Sequence, residues 1–204
     1  MKCYHFTKKE NLNNILEYGL VPKCGDNSKM IGDTKTKVFF SEGFAGCIAL
    51  FVDFNIVYND IKSGKEKPEE IILNQVMSTT SIEEYLGEGV YLCFEKNNIY
   101  NERNFENGCT SNNINPEDLY VCILNKNNEI IDSQYEVIKY MMANTNVQDI
   151  IYYGADYDQA PPQEAATQRI QNKVKNYYEK NENKFISYKN YKLEYIPLKE
   201  YLKK

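Results

Sequence analysis

The sequence predicts a single domain of mixed α/β or α+β class. Three observations carry that expectation. With 204 residues, 42% hydrophobic and 26% charged, the chain is long enough to bury a substantial core. Short compact apolar runs alternate with stretches of helical periodicity, as strands and amphipathic helices do. No internal repeat and no shift in composition marks a linker, so residues 1–204 are expected to fold as one unit. Ten Gly and six Pro are too few for a low-complexity chain. A mean hydropathy of -0.61, with no apolar run approaching a bilayer span, argues against a membrane protein.

The elements follow in order. Cys3-Tyr4-His5-Phe6 is a short strand-like run. Thr7-Lys8-Lys9-Glu10 has the form of a capping box, in which the Thr7 hydroxyl would accept the third amide and Glu10 would reach back, so a helix is expected to start there. Leu12, Ile15, Leu16 and Leu20 fall at helical spacing, with Gly19 placed for a left-handed cap before Pro22. Val38-Phe39-Phe40-Ser41 reads as a buried strand, Phe44 to Val57 as a largely buried helix, and Lys67-Pro68-Glu69-Glu70 as the opening of another.

The turn Gly87-Glu88-Gly89 leads into Val90–Phe94, and Leu119–Leu124 is a second run of the same kind; both are expected to be central strands. Residues 97–115, dense in Asn, are expected to form a solvated loop. Asp132-Ser133 can cap a helix through Met142. Asp149–Tyr153 reads as a strand and Gln163–Lys180 as a polar helix after Pro161-Pro162. Phe185 to Leu202 alternates in the manner of a hairpin or two edge strands.

Several chemistries are filtered out by composition. Six cysteines (Cys3, Cys24, Cys47, Cys93, Cys109, Cys122) form no CxxC pair and no Cys/His grouping, so they are expected as reduced, mostly buried thiols. The opening residues lack the basic, long-apolar, small-residue order of a signal peptide, and the expected location is the cytoplasm. A net charge of -5 with two arginines, Arg103 and Arg169, disfavours many phosphate contacts along a nucleic acid. His5 is the one histidine, so any imidazole chemistry must use it and a multi-histidine metal site is excluded within one chain.

Tyr4-His5-Phe6-Thr7, followed by Asn11 through Pro22 with its Gly19-Leu20 ending, resembles the opening of the ADP-ribosyltransferase superfamily in its histidine-type branch. The likeness is closest to DNA-modifying toxins of the DarT type, and looser to poly-ADP-ribose polymerases and RNA 2′-phosphotransferases. It implies an α+β domain with a split β-sheet and flanking helices, and NAD as the cofactor that is consumed. His5 and Thr7 would hold NAD. Val38-Phe39-Phe40-Ser41 and Gly87-Glu88-Gly89-Val90-Tyr91-Leu92 compete for the family's aromatic strand, which makes Phe39, Ser41 and Tyr91 candidates for holding the nicotinamide end. A flat aromatic face suits a planar leaving group.

The resemblance also implies a glutamate that stabilises the oxocarbenium-like ribosyl cation. Family order places it on a late strand, which points to Glu194 or Glu182. Glu164 is less favoured because it opens a helix, and Gln134-Tyr135-Glu136 has the Gln-x-Glu form but sits in a helical pattern. Lys23, Lys29 or Arg103 would answer the pyrophosphate. The expected activity is transfer of ADP-ribose to a protein or a short exposed nucleic-acid segment, in a toxin or effector setting. The alternatives are a binding module whose glutamate has been lost, an RNA 2′-phosphotransferase, and a Cys-His nucleophilic enzyme using Cys24 or Cys47.

Overall fold

A computed structural model describes residues 2–24, 36–65, 81–95, 108–145, 172, 175–182 and 188–204. Strand β1 (Lys2–Lys8) is followed by a 3₁₀ turn (Lys9–Asn11) and helix α1 (Leu12–Tyr18). Then come β2 (Val38–Glu42), α2 (Gly43–Lys62), α3 (Ile82–Gly87), β3 (Gly89–Glu95), β4 (Gly108–Thr110), a 3₁₀ turn (Pro116–Asp118), β5 (Tyr120–Lys126) and β6 (Glu129–Ile131). Helix α4 (Gln134–Asn144), a helical stretch α5 at 175–181, strand β7 (Tyr191–Pro197) and a last turn of helix α6 (Leu198–Tyr201) complete the order.

The sheet runs β4-β2-β1-β3-β5, with β6 and β7 both pairing β5, and every pairing is antiparallel. This is α+β architecture. Its centre is β3 and β5, as their apolar runs predict. Strand β5 is paired along its full length by β7, from Tyr120↔Pro197 to Lys126↔Tyr191, while β3 takes the first half of its other edge and β6 the second. The β5–β6 hairpin turns on Asn127 and Asn128, both at positive φ, where asparagine is tolerated better than most side chains.

Alternation along the strands sends side chains to two cores. Cys3, Val38, Phe40, Val90, Leu92, Phe94, Val121 and Ile123 pack under Leu12 and Ile15 of α1 and Leu198 of α6. Tyr4, Tyr91, Cys93, Cys122 and Leu124 take the opposite face, beneath Ile48, Phe51 and Val52 of α2 and Val137, Ile138 and Met141 of α4. Helices therefore cover both faces of the sheet, and each strand's period of two is explained by a core on each side.

Three expectations need correcting. Thr7 caps no helix: β1 continues through Lys8, because its pairing with β3 extends in register from Lys2↔Glu95 to Lys8↔Gly89. The ladder outcompetes a local cap, and α1 begins after a 3₁₀ turn with no side-chain cap. Residues 97–115 are not loop throughout, since β4 at Gly108–Thr110 is fully buried against β2 and Ile114 exchanges both backbone hydrogen bonds with Leu20. The C-terminal stretch supplies one strand and a helical turn among its described residues, with β7 continuous along β5.

The Gly19 cap is present at φ 76, with its amide donating to the Ile15 carbonyl. Ser81, overlooked in the sequence, caps α3 by accepting from the Glu84 amide at 3.1 Å. The helix expected at Lys67, the strand at Asp149–Tyr153 and most of the 163–180 helix lie outside the described residues.

Candidate functional site

The site is built where β1 and β2 part. Strand β2 pairs with β1 through Tyr4↔Ser41 and Cys3↔Glu42, and its earlier residues Val38, Phe39 and Phe40 pair with β4 instead. His5 is the first β1 residue past the shared ladder. Its Nδ1 stands 2.7 Å from the Phe39 carbonyl oxygen, across the opening between the strands. A carbonyl can only accept, so Nδ1–H donates to it, and in the neutral ring Nε2 is left with an acceptor lone pair. Burial lowers the His5 pKa below its ordinary value, with the Phe39 hydrogen bond opposing in part, which favours that neutral tautomer.

Thr7 lies two residues farther on the same face, about 7 Å along the strand. It is buried, and its Oγ1 accepts a hydrogen bond from Asn11 Nδ2 at 3.4 Å. The hydroxyl proton of Thr7 therefore remains available to an acceptor. Phe39 contributes its backbone to His5, and its half-buried ring packs into none of the core clusters among the described residues. Its neighbour Phe40 instead fills the core edge-on to Phe94, ring centroids 5.4 Å apart.

Tyr91 and Ser41 take the other face of the sheet. Tyr91 pairs with Phe6 and Cys122, and it is buried with Tyr4 and Cys47 rather than beside His5. A buried polar chain ties these residues together. Side-chain hydrogen bonds join Gln134 to Tyr91, Tyr91 to Cys47 and Cys47 to Ser41. Burial is the main reason that the Cys47 thiol is pushed up to about 12 and the Tyr91 hydroxyl well above its ordinary range. Gln134 Oε1 finds no hydrogen-bond partner among the described residues.

The candidate glutamates are dispersed. Glu194 sits on β7 opposite Ile123. The register of β3 on β5 places Val90 next to Ile123, and Val90 pairs with Thr7, so Glu194 shares the face and the cross-strand row of Thr7. It lies three strands away, roughly 14 Å at about 4.8 Å per strand, with buried Val90 and Ile123 between. Its Oε2 accepts from Asn125 Nδ2 at 3.1 Å, and Asn125 is itself anchored where its Oδ1 accepts the Asn128 amide at the hairpin.

Glu182 is exposed just after α5, one turn from Tyr178. Glu136 is in helix α4, as its surroundings predict, with Oε1 paired to Lys139 at 2.9 Å and Oε2 accepting from Tyr188 at 2.7 Å. Glu164, Lys29 and Arg103 lie outside the described residues, and Lys23 bridges by its backbone to Lys37.

None of the six cysteines is in a disulfide; five are buried and Cys24 is half-buried. Neither Cys24 nor Cys47 is hydrogen-bonded to His5, and burial pushes the Cys47 thiol up to about 12, against the pull of its hydrogen bonds with Ser41 and Tyr91. Among the described residues no group of three or more His, Cys, Asp or Glu side chains is placed to hold a metal ion, and no helix is long and apolar enough to cross a membrane. The chain matches no protein-family model, no curated protein and no solved structure.

Proposed function

We propose that this chain is an NAD-dependent ADP-ribosyltransferase on a split-sheet fold. The observation that carries the proposal is the opening between β1 and β2, where His5, oriented by the Phe39 carbonyl, and Thr7 stand on one face of the sheet. His5 Nε2 offers an acceptor and Thr7 a donor, a pair suited to a ribose or carboxamide edge. In the reaction the bond between nicotinamide and ribose C1′ breaks with its electron pair leaving on the nicotinamide nitrogen. C1′ then bonds to a nucleophilic atom of a protein or a short exposed nucleic-acid segment, which gives up its proton. Glu194, whose orientation Asn125 holds, is the favoured carboxylate for the cationic transition state, with Glu182 second.

The second reading is a binding module that holds the dinucleotide and does not cleave it. It is favoured by the position of Glu194, three strands from the row's other end at Thr7, and by the engagement of both Glu136 oxygens elsewhere. Incubation with NAD, with and without a cell lysate, separates the two when free nicotinamide and transferred ADP-ribose are followed by mass spectrometry. Release that disappears in His5→Ala and Glu194→Ala supports the transferase. NAD binding without turnover supports the module, and absence of binding by a folded protein overturns both.

A further inference from the structure

We propose that Asp132 is a positioning residue, which acts through Lys9 and the turn after β1 to set the Thr7 hydroxyl and is itself held by Tyr201 from the C-terminal helix. Asp132 lies between β6 and α4, far in sequence from both partners. Its Oδ1 accepts from Lys9 Nζ at 2.6 Å and its Oδ2 accepts from the Tyr201 hydroxyl at 2.5 Å. One carboxylate thus spends each oxygen on a different segment of the chain, with its side chain 23% exposed. An ion pair as open as this contributes little to stability. Two short charge-assisted hydrogen bonds, one from each oxygen, do constrain geometry.

What they constrain is the end of β1. The Lys9 amide donates to the Glu88 carbonyl at 3.1 Å, so the backbone of the turn is held from the β3 side while its side chain is held by Asp132. The same three-residue turn carries Asn11, whose Nδ2 reaches back to Thr7 Oγ1. The relay therefore runs Tyr201, Asp132, Lys9, turn, Asn11, Thr7. No side chain of the turn is buried, so packing does not hold it in place. The contact also explains why α6, a single helical turn, is tied to the sheet at both ends: the Leu198 amide donates to the Leu119 carbonyl, and Tyr201 closes on Asp132.

The role of Thr7 in holding NAD rests on the function proposed above, so the test carries one readout that does not depend on it. In the full chain labelled at threonine methyls, with the Thr7 signal assigned through Thr7→Ser, Asp132→Asn and Tyr201→Phe are expected to shift the Thr7 methyl resonance. Lys65→Met, which breaks the separate Lys65–Asp60 pair, is expected to leave it in place. By calorimetry Asp132→Asn is expected to weaken NAD binding about tenfold, and to have no further effect in a Thr7→Val background, because residues acting through one another are non-additive.

A Thr7 methyl unmoved by both substitutions overturns the proposal. So does an Asp132→Asn loss of affinity that is equal in the two backgrounds, as a merely structural role would give. Tyr201→Phe removes one hydrogen bond and keeps the ring, so it decides the matter if Asp132→Asn does not fold. If the unaltered protein binds no NAD, the proposed function falls, and the methyl shift alone supports or overturns the relay.

Discussion

His5 Nδ1 donates to the Phe39 carbonyl at 2.7 Å, at the point where β2 has left β1 for β4. The hydrogen bond replaces a rung of the ladder with a side chain, so the strands can part without stranding a buried carbonyl. It also selects the imidazole tautomer.

The pH dependence follows from burial. His5 is held below its ordinary value of 6.5 chiefly by desolvation. Between that folded value and 6.5 the unfolded chain binds more protons than the folded one. The His5 contribution to stability is therefore complete above about pH 6.5 and is lost as pH falls through the folded value. Melting curves from pH 8 to pH 5 are expected to show a decline that is smaller in His5→Gln. A ¹⁵N spectrum at pH 7 is expected to show the neutral ring protonated at Nδ1.

Gly19 and Gly89 should differ under substitution by alanine. A Cβ at Gly19 would lie 2.2 Å from the Ile114 carbonyl oxygen, with φ at +76, so backbone would have to move in an unfavourable conformation. At Gly89 the Cβ would lie 1.9 Å from the Phe6 ring edge, which a side-chain shift can relieve. Urea denaturation is expected to give a loss of about 1–3 kcal/mol for Gly89→Ala and a larger one for Gly19→Ala. Phe6→Leu is expected to recover part of the Gly89→Ala loss only.

Tyr91→Phe is expected to act on stability rather than on NAD affinity. The change removes the hydroxyl that is hydrogen-bonded to the Gln134 side chain and to Cys47, next to a Gln134 Oε1 that already finds no partner among the described residues. The expected cost is about 1–3 kcal/mol. Gln134→Leu added to Tyr91→Phe is expected to restore part of it, since an apolar pair has no unmet hydrogen bond. A large rise in NAD Kd with unchanged stability would place Tyr91 at the ligand instead.

Thiol reactivity tests the two cores. Burial pushes Cys47 and Cys93 up to about 12, and Cys3, Cys109 and Cys122 are shielded by packing. Titration with Ellman's reagent at pH 8 is expected to find Cys24 alone reacting quickly in the folded chain. All six thiols should react in guanidinium. Rapid reaction of a second thiol under native conditions would contradict the burial of these residues.

Apolar runs were the most legible feature of the sequence. Val90–Phe94 and Leu119–Leu124 read as central strands because a strand covered on both faces carries no polar alternation, and β3 and β5 are such strands. The helix at Gln134 was equally visible from its periodicity, which correctly set Glu136 apart from any strand. Thr7 was misread because a capping box is a local pattern, and seven residues of pairing with β3 override it. Strand β4 was missed because three residues of Gly-Cys-Thr carry no periodicity; what makes them a strand is their pairing with β2, distant in the chain.

For the site, His5, Thr7, Phe39, Ser41 and Tyr91 were nominated by the resemblance of their motifs to a known family, which does not say on which face of the sheet each would lie. By itself the sequence determined a mixed α/β or α+β class, the central strands and the single imidazole. These follow from composition and local period. The tertiary structure alone decided that β2 parts from β1 at His5, that Tyr91 and Ser41 turn away into a core with Cys47, and that Asp132 joins Lys9 to Tyr201. Such facts depend on register between strands distant in the chain, where a shift of one residue exchanges the two faces of the sheet.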